Sequence, residues 1–368
     1  MSKSYYSLGL MSGTSMDGVD ASIIQSDGET KYKVILDKYF EYPQDIYKNL
    51  TKLRDKIKSS KDLKKLSKEI KNIEKEITLF HAKSVNQILK KTKVNVDLIG
   101  FHGQTVYHNA KEKISKQLGD GKLLSKLTKK KVVYNFRQND LKNGGEGAPL
   151  TPIFHQMLEK KLNIKPAGFY NIGGILNKTT IQNDGGLSAG DIGPGMCLID
   201  KWIRTNSKKK YDKNGAIAKS GKVNEKVLDQ YWNTWKSFLK KKSYDTSDFD
   251  ILFVKDLSLE DGAATLTLHT ANIFLTAFEI KKKFKNYQKE KIILCGGGRK
   301  NKFLVDIIKN AYVNEDVKLV DDYGIDGDFI ESQAFAYLAI RSYLKLPISF
   351  PSTTGVNKPC IGGVIVNY

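Results

Sequence analysis

Between an apolar segment at residues 5–10 and another at residues 21–25, the chain places Ser12, Gly13, Thr14, Ser15, Met16, Asp17, Gly18, Val19 and Asp20 in one run. The pattern predicts a strand, a tight turn and a second strand. Glycine lets a backbone come close to a ligand. Successive N–H groups, joined by the hydroxyls of Ser12, Thr14 and Ser15, suit a cradle for phosphate oxygens. Asp17 or Asp20 is placed to orient a magnesium ion, which prefers carboxylate and phosphate oxygens. An ordinary polar hairpin turn spends far fewer special residues than this. The run is not a Walker A loop, because no Gly-Lys-Ser/Thr follows.

The chain has 368 residues, above the ceiling of roughly 250–300 residues for a single core, so two domains are expected. The formal net charge of +21 invites a nucleic-acid reading, yet only five of the 61 basic residues are arginine: Arg54, Arg137, Arg204, Arg299 and Arg341. Arginine is the preferred reader of phosphate forks and base edges. Scattered lysine reads instead as a solvated surface, and nucleic acid is not the expected partner. Cys197, Cys295 and Cys360 lie far apart, with neither metal spacing nor an even count. Reduced thiols, no apolar run of signal-peptide length at the start and no stretch near ~20 apolar residues point to a cytoplasmic protein off the membrane.

Further along, Leu63, Leu66, Ile70, Ile73, Ile77, Phe80 and Ile88 recur at helical steps, interrupted by Ser84, and predict one long helix over residues 61–91. A strand at 96–101 delivers His102 and Gln104, and another at 132–136 delivers Arg137. Ligands of α/β folds gather at such carboxyl ends of strands. The glycine-rich residues 143–149 mark the expected boundary. One α/β domain would hold residues 1–138 with 346–368, the other residues 139–345. The second half reads as a helix at 152–161, a strand from 168 that ends in the glycine pair 173–174, a hairpin at 183–186 and a helix at 196–204. Helices at 223–239 (with Trp232, Trp235 and Phe238) and 261–284, a strand at 292–295, a helix at 330–344 and a strand at 363–367 complete it. No internal repeat is evident.

Three glycine-rich turns follow strands: the opening one, Asn171 with Gly173 and Gly174, and Gly296 with Gly297 and Gly298. Together they suit a nucleotide, two turns holding phosphates and the third letting an adenosine lie flat. Asp191 stands before a Gly-Pro-Gly turn that opens a helix. It is either a carboxylate that positions or deprotonates a nucleophile or a helix N-cap. His102 and Gln104 are candidate readers of a sugar. Arg137 and Glu146 are candidates to clamp a carboxylate or hydroxyl. Glu331 begins a helix, as dipole partner or ligand group. Arg299 either contacts phosphate or solvates its loop.

At these residues the chain resembles the anhydro-N-acetylmuramic acid kinases. The opening GLMSGTSMDGVD at 9–20 is similar to that family's N-terminal signature. The resemblance continues in order through HGQT at 102–105, QLGD ending at Asp120, Phe136 and Arg137 with Asp140, and GGEGAP at 144–149. It then takes in NIGG at 171–174, DIGPG at 191–195, YDKNG at 211–215, CGGG at 295–298 with Asn301, and ESQAF at 331–335. It implies a two-domain actin/hexokinase/Hsp70-like (ribonuclease H-like) fold around a nucleotide cleft, with ATP and Mg2+. It also implies hydrolytic opening of 1,6-anhydro-N-acetylmuramic acid with phosphorylation at O6, in a cytoplasmic homodimer that recycles cell-wall sugar. Asp191 matches the catalytic base, residues 13–18 the ATP-phosphate turn, and His102, Gln104, Asp120 and Glu331 the sugar side. Ile192, Met196 and Leu176 depart from the family's Asp-Thr-Gly-Pro-Gly-Asn and Asn-Ile-Gly-Gly-Ile-Ala-Asn. The competing readings are a sugar kinase of this fold without ring opening and a non-catalytic ATP-binding scaffold.

Overall fold

A computed structural model describes residues 3–235, 244–283, 289–313 and 315–368. The chain divides into two units, Met1–Asn163 with Asp328–Tyr368, and Ile164–Gly327.

The first unit opens with three antiparallel strands, β1 (Tyr5–Ser12), β2 (Gly18–Ser26) and β3 (Tyr32–Glu41). Helices α1 (Gln44–Lys56), α2 (Ser60–Lys65) and α3 (Ser67–Leu89) follow. The long helix expected at 61–91 is thus interrupted at Leu66, whose backbone leaves helical geometry (φ −95°, ψ 14°). Ile70, Ile73, Ile77, Val85 and Ile88 are buried against Leu8, Leu10, Ile23 and Ile99 of the sheet. Each such side chain contributes about 1.5–3 kcal/mol. Ser84 sits in the same stripe, buried, its hydroxyl donating to the Phe80 carbonyl at 3.0 Å. The chain continues through β4 (Leu98–Asn109), β5 (Ile114–Leu118), α4 (Gly121–Thr128), β6 (Lys131–Tyr134), α5 (Gln138–Lys142) and α6 (Pro152–Leu162).

The second unit begins with β7 (Ala167–Ile172), β8 (Ile175–Ile181) and β9 (Leu187–Pro194), again antiparallel. The strand expected from residue 168 ends at its glycine pair, Gly173 and Gly174, and β8 starts at Ile175. Helices α7 (Cys197–Asn206), α8 (Ala216–Ser220), α9 (Glu225–Trp235) and α10 (Leu259–Lys282) lead to β10 (Lys291–Cys295), α11 (Lys302–Ala311) and β11 (Val317–Leu319). Phe238 and the Trp235 side chain lie outside the described residues. Leu198, Trp202, Leu266 and Phe274 pack with Tyr170, Ile172 and Leu294 to form this unit's core. The chain then returns to the first unit through α12 (Ile330–Tyr343), α13 (Pro351–Thr354) and β12 (Val364–Val366).

The two sheets share one plan. The first runs β12-β6-β4-β1-β2-β3, with β5 beside β4, and the second runs β11-β10-β7-β8-β9. In each, three antiparallel strands are extended by two parallel ones, β4 and β6 beside β1, and β10 and β11 beside β7. This duplicated arrangement, invisible as a sequence repeat, is the actin/hexokinase/Hsp70-like ATPase fold.

The unit boundary falls at 163/164 and 327/328 rather than 138/139 and 345/346. Helix α12 is the reason: it lies directly on β1 and β4. A Cβ on Gly9 would stand 1.8 Å from the Ser332 carbonyl oxygen, and one on Gly100 2.2 Å from that of Phe335. Gly9 and Gly100 are register partners, so together they form the bare strip on which the helix rests. The glycine-rich 143–149 segment is likewise tied within this unit. Buried Asp140 accepts the Gly147 N–H at 2.7 Å and the Thr354 hydroxyl at 2.6 Å.

Candidate active site

The opening turn joins β1 to β2. Met16 donates its N–H to the Gly13 carbonyl at 3.2 Å and adopts a left-handed backbone (φ 58°) with its side chain buried. Thr14 and Ser15 are left exposed at the tip, and their N–H groups make no hydrogen bond among the described residues. The turn is held from beneath. Tyr42 donates its N–H to the Asp17 carbonyl at 2.8 Å, and its phenol meets the Ser12 hydroxyl at 3.0 Å. That hydroxyl also meets His81 Nε2 at 3.2 Å. Burial lowers the His81 pKa to about 4, so the ring is neutral. The Ser12 hydroxyl therefore faces inward. Gly18 answers a steric demand, since its Cβ would lie 2.5 Å from the Phe40 carbonyl oxygen. Among the described residues no group of three or more His, Cys, Asp or Glu forms a metal cage. Magnesium bound with phosphate needs only one or two protein carboxylates. Asp17, half-buried and oriented by the Ser15 hydroxyl at 2.6 Å, fits that demand.

The strand expected to end at residue 101 runs on to Asn109, so the expected sugar readers His102 and Gln104 lie inside β4, and they are tied into the protein. Gln104 donates Nε2 to the Gly13 carbonyl at 2.9 Å and so steadies the opening turn. His102 is buried against Phe335, with Nδ1 bonded to the Gly103 carbonyl at 2.8 Å. Its Nε2 accepts from Arg137 at 2.9 and 3.2 Å. Burial first, and the Arg137 charge second, hold its pKa well below the ordinary value. With both ring nitrogens engaged, His102 orients Arg137, whose Nη1 also donates to the Gly147 carbonyl at 2.7 Å. Asp120 is exposed and caps α4 through the N–H groups of Lys122 and Leu123. Glu331 lies half-buried in the first turn of α12.

In the second unit Asp191 lies inside β9, three residues before the strand ends, and not in a turn. It is not the helix cap either, since Met196 occupies that position before α7. Its Oδ2 accepts the Tyr244 N–H at 2.9 Å. The register decides which face it occupies. Leu176 pairs with Gly193, but Asn177 pairs with Asp191, so Ile192 is an extra residue, a β-bulge. Its side chain is buried in the core with Leu176. Without the bulge Asp191 would stand opposite Lys178, on the face of Tyr170 and α10, because one residue of slip reverses a strand's faces. With it, Asn171, Asn177 and Asp191 form one row across β7, β8 and β9. Sequence reading passed over Asn177, whose only signal was its place in the family motif.

The glycine turns meet at this edge. Cys295 and Asn171 are register partners on parallel strands, so Gly296 leaves the sheet beside Ile172, one residue before Gly173. Gly296 (φ 78°) has no room for a side chain, since a Cβ would lie 2.1 Å from Asn171 Oδ1, whereas Gly297 faces open space. Arg299 does not solvate its loop. It is buried in a two-pronged pair with Asp321 at 2.6 and 3.0 Å, and it donates to the Gly296 carbonyl at 3.2 Å.

The sequence model of the family described as anhydro-N-acetylmuramic acid kinase matches residues 5–368. The chain belongs to the anhydro-N-acetylmuramic acid kinase family. It is 56% identical over the full length of both chains to "Anhydro-N-acetylmuramic acid kinase" of Pelagibacter ubique. It is 38% identical, with 98% of each chain covered, to the protein of that name in Agrobacterium fabrum. Among solved structures, the (R)-2-hydroxyglutaryl-CoA dehydratase component A of Acidaminococcus fermentans aligns with a TM-score of 0.45 at 12% identity, covering 92% of this chain and 99% of that one. Family membership makes this chain an enzyme, a phosphotransferase that uses ATP on a small sugar in cell-wall recycling. No described helix is long and apolar enough to cross a membrane.

Proposed function

We propose that the chain opens the ring of 1,6-anhydro-N-acetylmuramic acid with water and phosphorylates the released O6, with Asp191 as the base. The observation that carries this reading is the bulge at Ile192, which turns Asp191 off the core face while the Tyr244 N–H holds one of its oxygens. The anhydro bridge is an internal glycoside whose leaving oxygen is O6. An inverting glycosidase pairs a base for the water with an acid for the leaving oxygen. Here the γ-phosphoryl group of ATP captures O6 in place of a proton, so one carboxylate suffices. Asp191 takes a proton from the water that attacks C1.

Thr14 and Ser15 offer N–H groups and hydroxyls to the phosphates. Gly13 and Met16 shape their turn, Ser12 and Gln104 brace it, and Gly18 and Val19 carry it into β2. Asn171, Gly173, Gly174 and Gly296, Gly297 and Gly298 serve the adenosine side. Asp17 would hold magnesium, which when bound offsets charge on the transferring phosphoryl group. On the sugar side Glu331 is the direct reader, while His102 acts through Arg137 and Asp120 shapes the start of α4. The enzyme works as a cytoplasmic homodimer in this reading.

Asp191→Asn keeps the shape and removes the base. Turnover is expected to fall by at least about a thousandfold with ATP affinity little changed. Kinetics with ATP and the anhydro sugar, beside calorimetric ATP binding, check this. An active Asp191→Asn enzyme sinks the base assignment.

A further inference from the structure

The row across the second sheet contains a group to which the reaction above gives no part. Asn177 is the register partner of Asp191 on one side and of Asn171 on the other, so the three side chains leave the same face of the sheet. Paired residues on neighbouring antiparallel strands stand about 4.5–5.5 Å apart at Cα, close enough for both side chains to reach one water molecule. Asn177 is half-exposed, and its carboxamide makes no hydrogen bond among the described residues. Its neighbours along β8 are differently committed. Leu176 is buried in the core, and Lys178 is paired with Gly190. The bulge that re-aims Asp191 thus aligns it with the one carboxamide of the three successive residues Leu176, Asn177 and Lys178.

A water attacking C1 carries two protons, and a single carboxylate oxygen accepts one. We infer that Asn177 is a further catalytic residue: its Oδ1 accepts the second O–H of the attacking water and so aims the oxygen lone pair at C1. This rests on Asp191 being the base. The step balances with Asn177 unchanged. The water oxygen bonds to C1, one proton passes to Asp191, and the other stays on what becomes the C1 hydroxyl. The C1–O6 bond breaks, O6 takes the γ-phosphoryl group, ADP leaves, and Asp191 returns its proton to solvent.

The role makes a demand that a merely structural residue would not. Methanol offers the base one proton but has a methyl group where Asn177 expects a second O–H. The native enzyme should therefore discriminate against methanol, and loss of the carboxamide should relax that discrimination. The test runs the native enzyme, Asn177→Ala and Asn177→Ser with ATP-Mg and the anhydro sugar in water–methanol mixtures. Mass spectrometry then gives the ratio of methyl glycoside 6-phosphate to reducing sugar 6-phosphate. Asn177→Ala is expected to lose about a hundredfold in kcat with little change in either KM, and to raise the methanol share of product. Asn177→Ser keeps an acceptor oxygen and should recover part of both, which separates lost chemistry from lost folding.

Native kcat in Asn177→Ala overturns the proposal. So does a slow variant whose product ratio matches the native one, including the case where neither makes methyl glycoside. An inactive Asp191→Asn beside an unaffected Asn177→Ala defeats only this inference. An active Asp191→Asn defeats the base assignment beneath it.

Discussion

The two sheets are built to one strand order and put it to different uses. In the first unit the turn between the first two strands stands open, with Thr14 and Ser15 exposed. In the second the corresponding turn is Gly173 and Gly174, and it is stitched to the next helix. The Gly173 carbonyl accepts the Met196 N–H at 2.8 Å, and that of Gly174 accepts those of Gly195 and Cys197 at 3.0 and 3.2 Å. The third strand carries a bulge in both units. Ile35 is the extra residue between the pairs Ile23–Leu36 and Ile24–Val34, as Ile192 is in β9. Only the second bulge decides the face of a carboxylate. Helix α12 covers the bare Gly9–Gly100 strip of the first sheet, while the matching central strand of the second sheet carries Asn171. A repeated frame thus sets positions, and a few side chains set the chemistry.

The largest expected effect tests which glycines serve packing. Gly9→Val would drive a side chain into a helix backbone that cannot yield, and should cost about 3 kcal/mol or more in urea unfolding. Gly297→Ala, which faces open space, should stay within about 0.5 kcal/mol of native. Equal costs would erase the distinction.

Acid should separate the units next. His81, His102 and His155 in the first unit are buried, with burial pushing all three pKa values down, to about 4 for His81 and about 3 for His155. Below the ordinary value near 6.5 the unfolded chain binds protons that these folded rings refuse, so stability falls as pH drops from about 6.5 toward 4. In the second unit His269, lowered to about 3, pulls the same way. Asp200, raised to about 6 by burial, binds its proton more readily when folded and opposes it over that range. Hydrogen exchange at pH 7 and pH 5 should therefore show protection lost first from peptides of residues 3–163. Earlier loss from residues 164–235 would contradict the sign.

The smallest effect concerns Ile192. Its side chain lies in the core and away from Asp191's face, so Ile192→Thr, which restores the family's residue, should leave kcat/KM within about threefold. It should cost about 1–2 kcal/mol for the buried hydroxyl. A large gain in rate would mean that the departure matters to catalysis after all.

Much of this was legible in the sequence, and the illegible part has a physical cause. The β1-turn-β2 unit, the α3 stripe and the strand ending at Gly296 are local patterns, written in spacing and glycine. What escaped depends on partners distant in sequence. The bulge at Ile192 exists only relative to β8. The packing role of Gly9 shows only when α12, more than 300 residues on, is seen against it. The glycine-rich 143–149 segment looks like a linker because its anchor is the buried Asp140 carboxylate. His102 looks like a sugar reader because Arg137, its partner, lies 35 residues on, beyond β6 and just before α5.

The central claim is that water opens the ring while O6 takes the phosphoryl group. The most direct measurement supplies the enzyme with ATP-Mg and 1,6-anhydro-N-acetylmuramic acid in oxygen-18 water, reduces the product at once and locates the label by mass spectrometry. One heavy oxygen at C1 and a phosphate on an unlabelled O6 is the expected result. An unlabelled C1, or phosphate transfer only to the sugar already opened, would contradict the account.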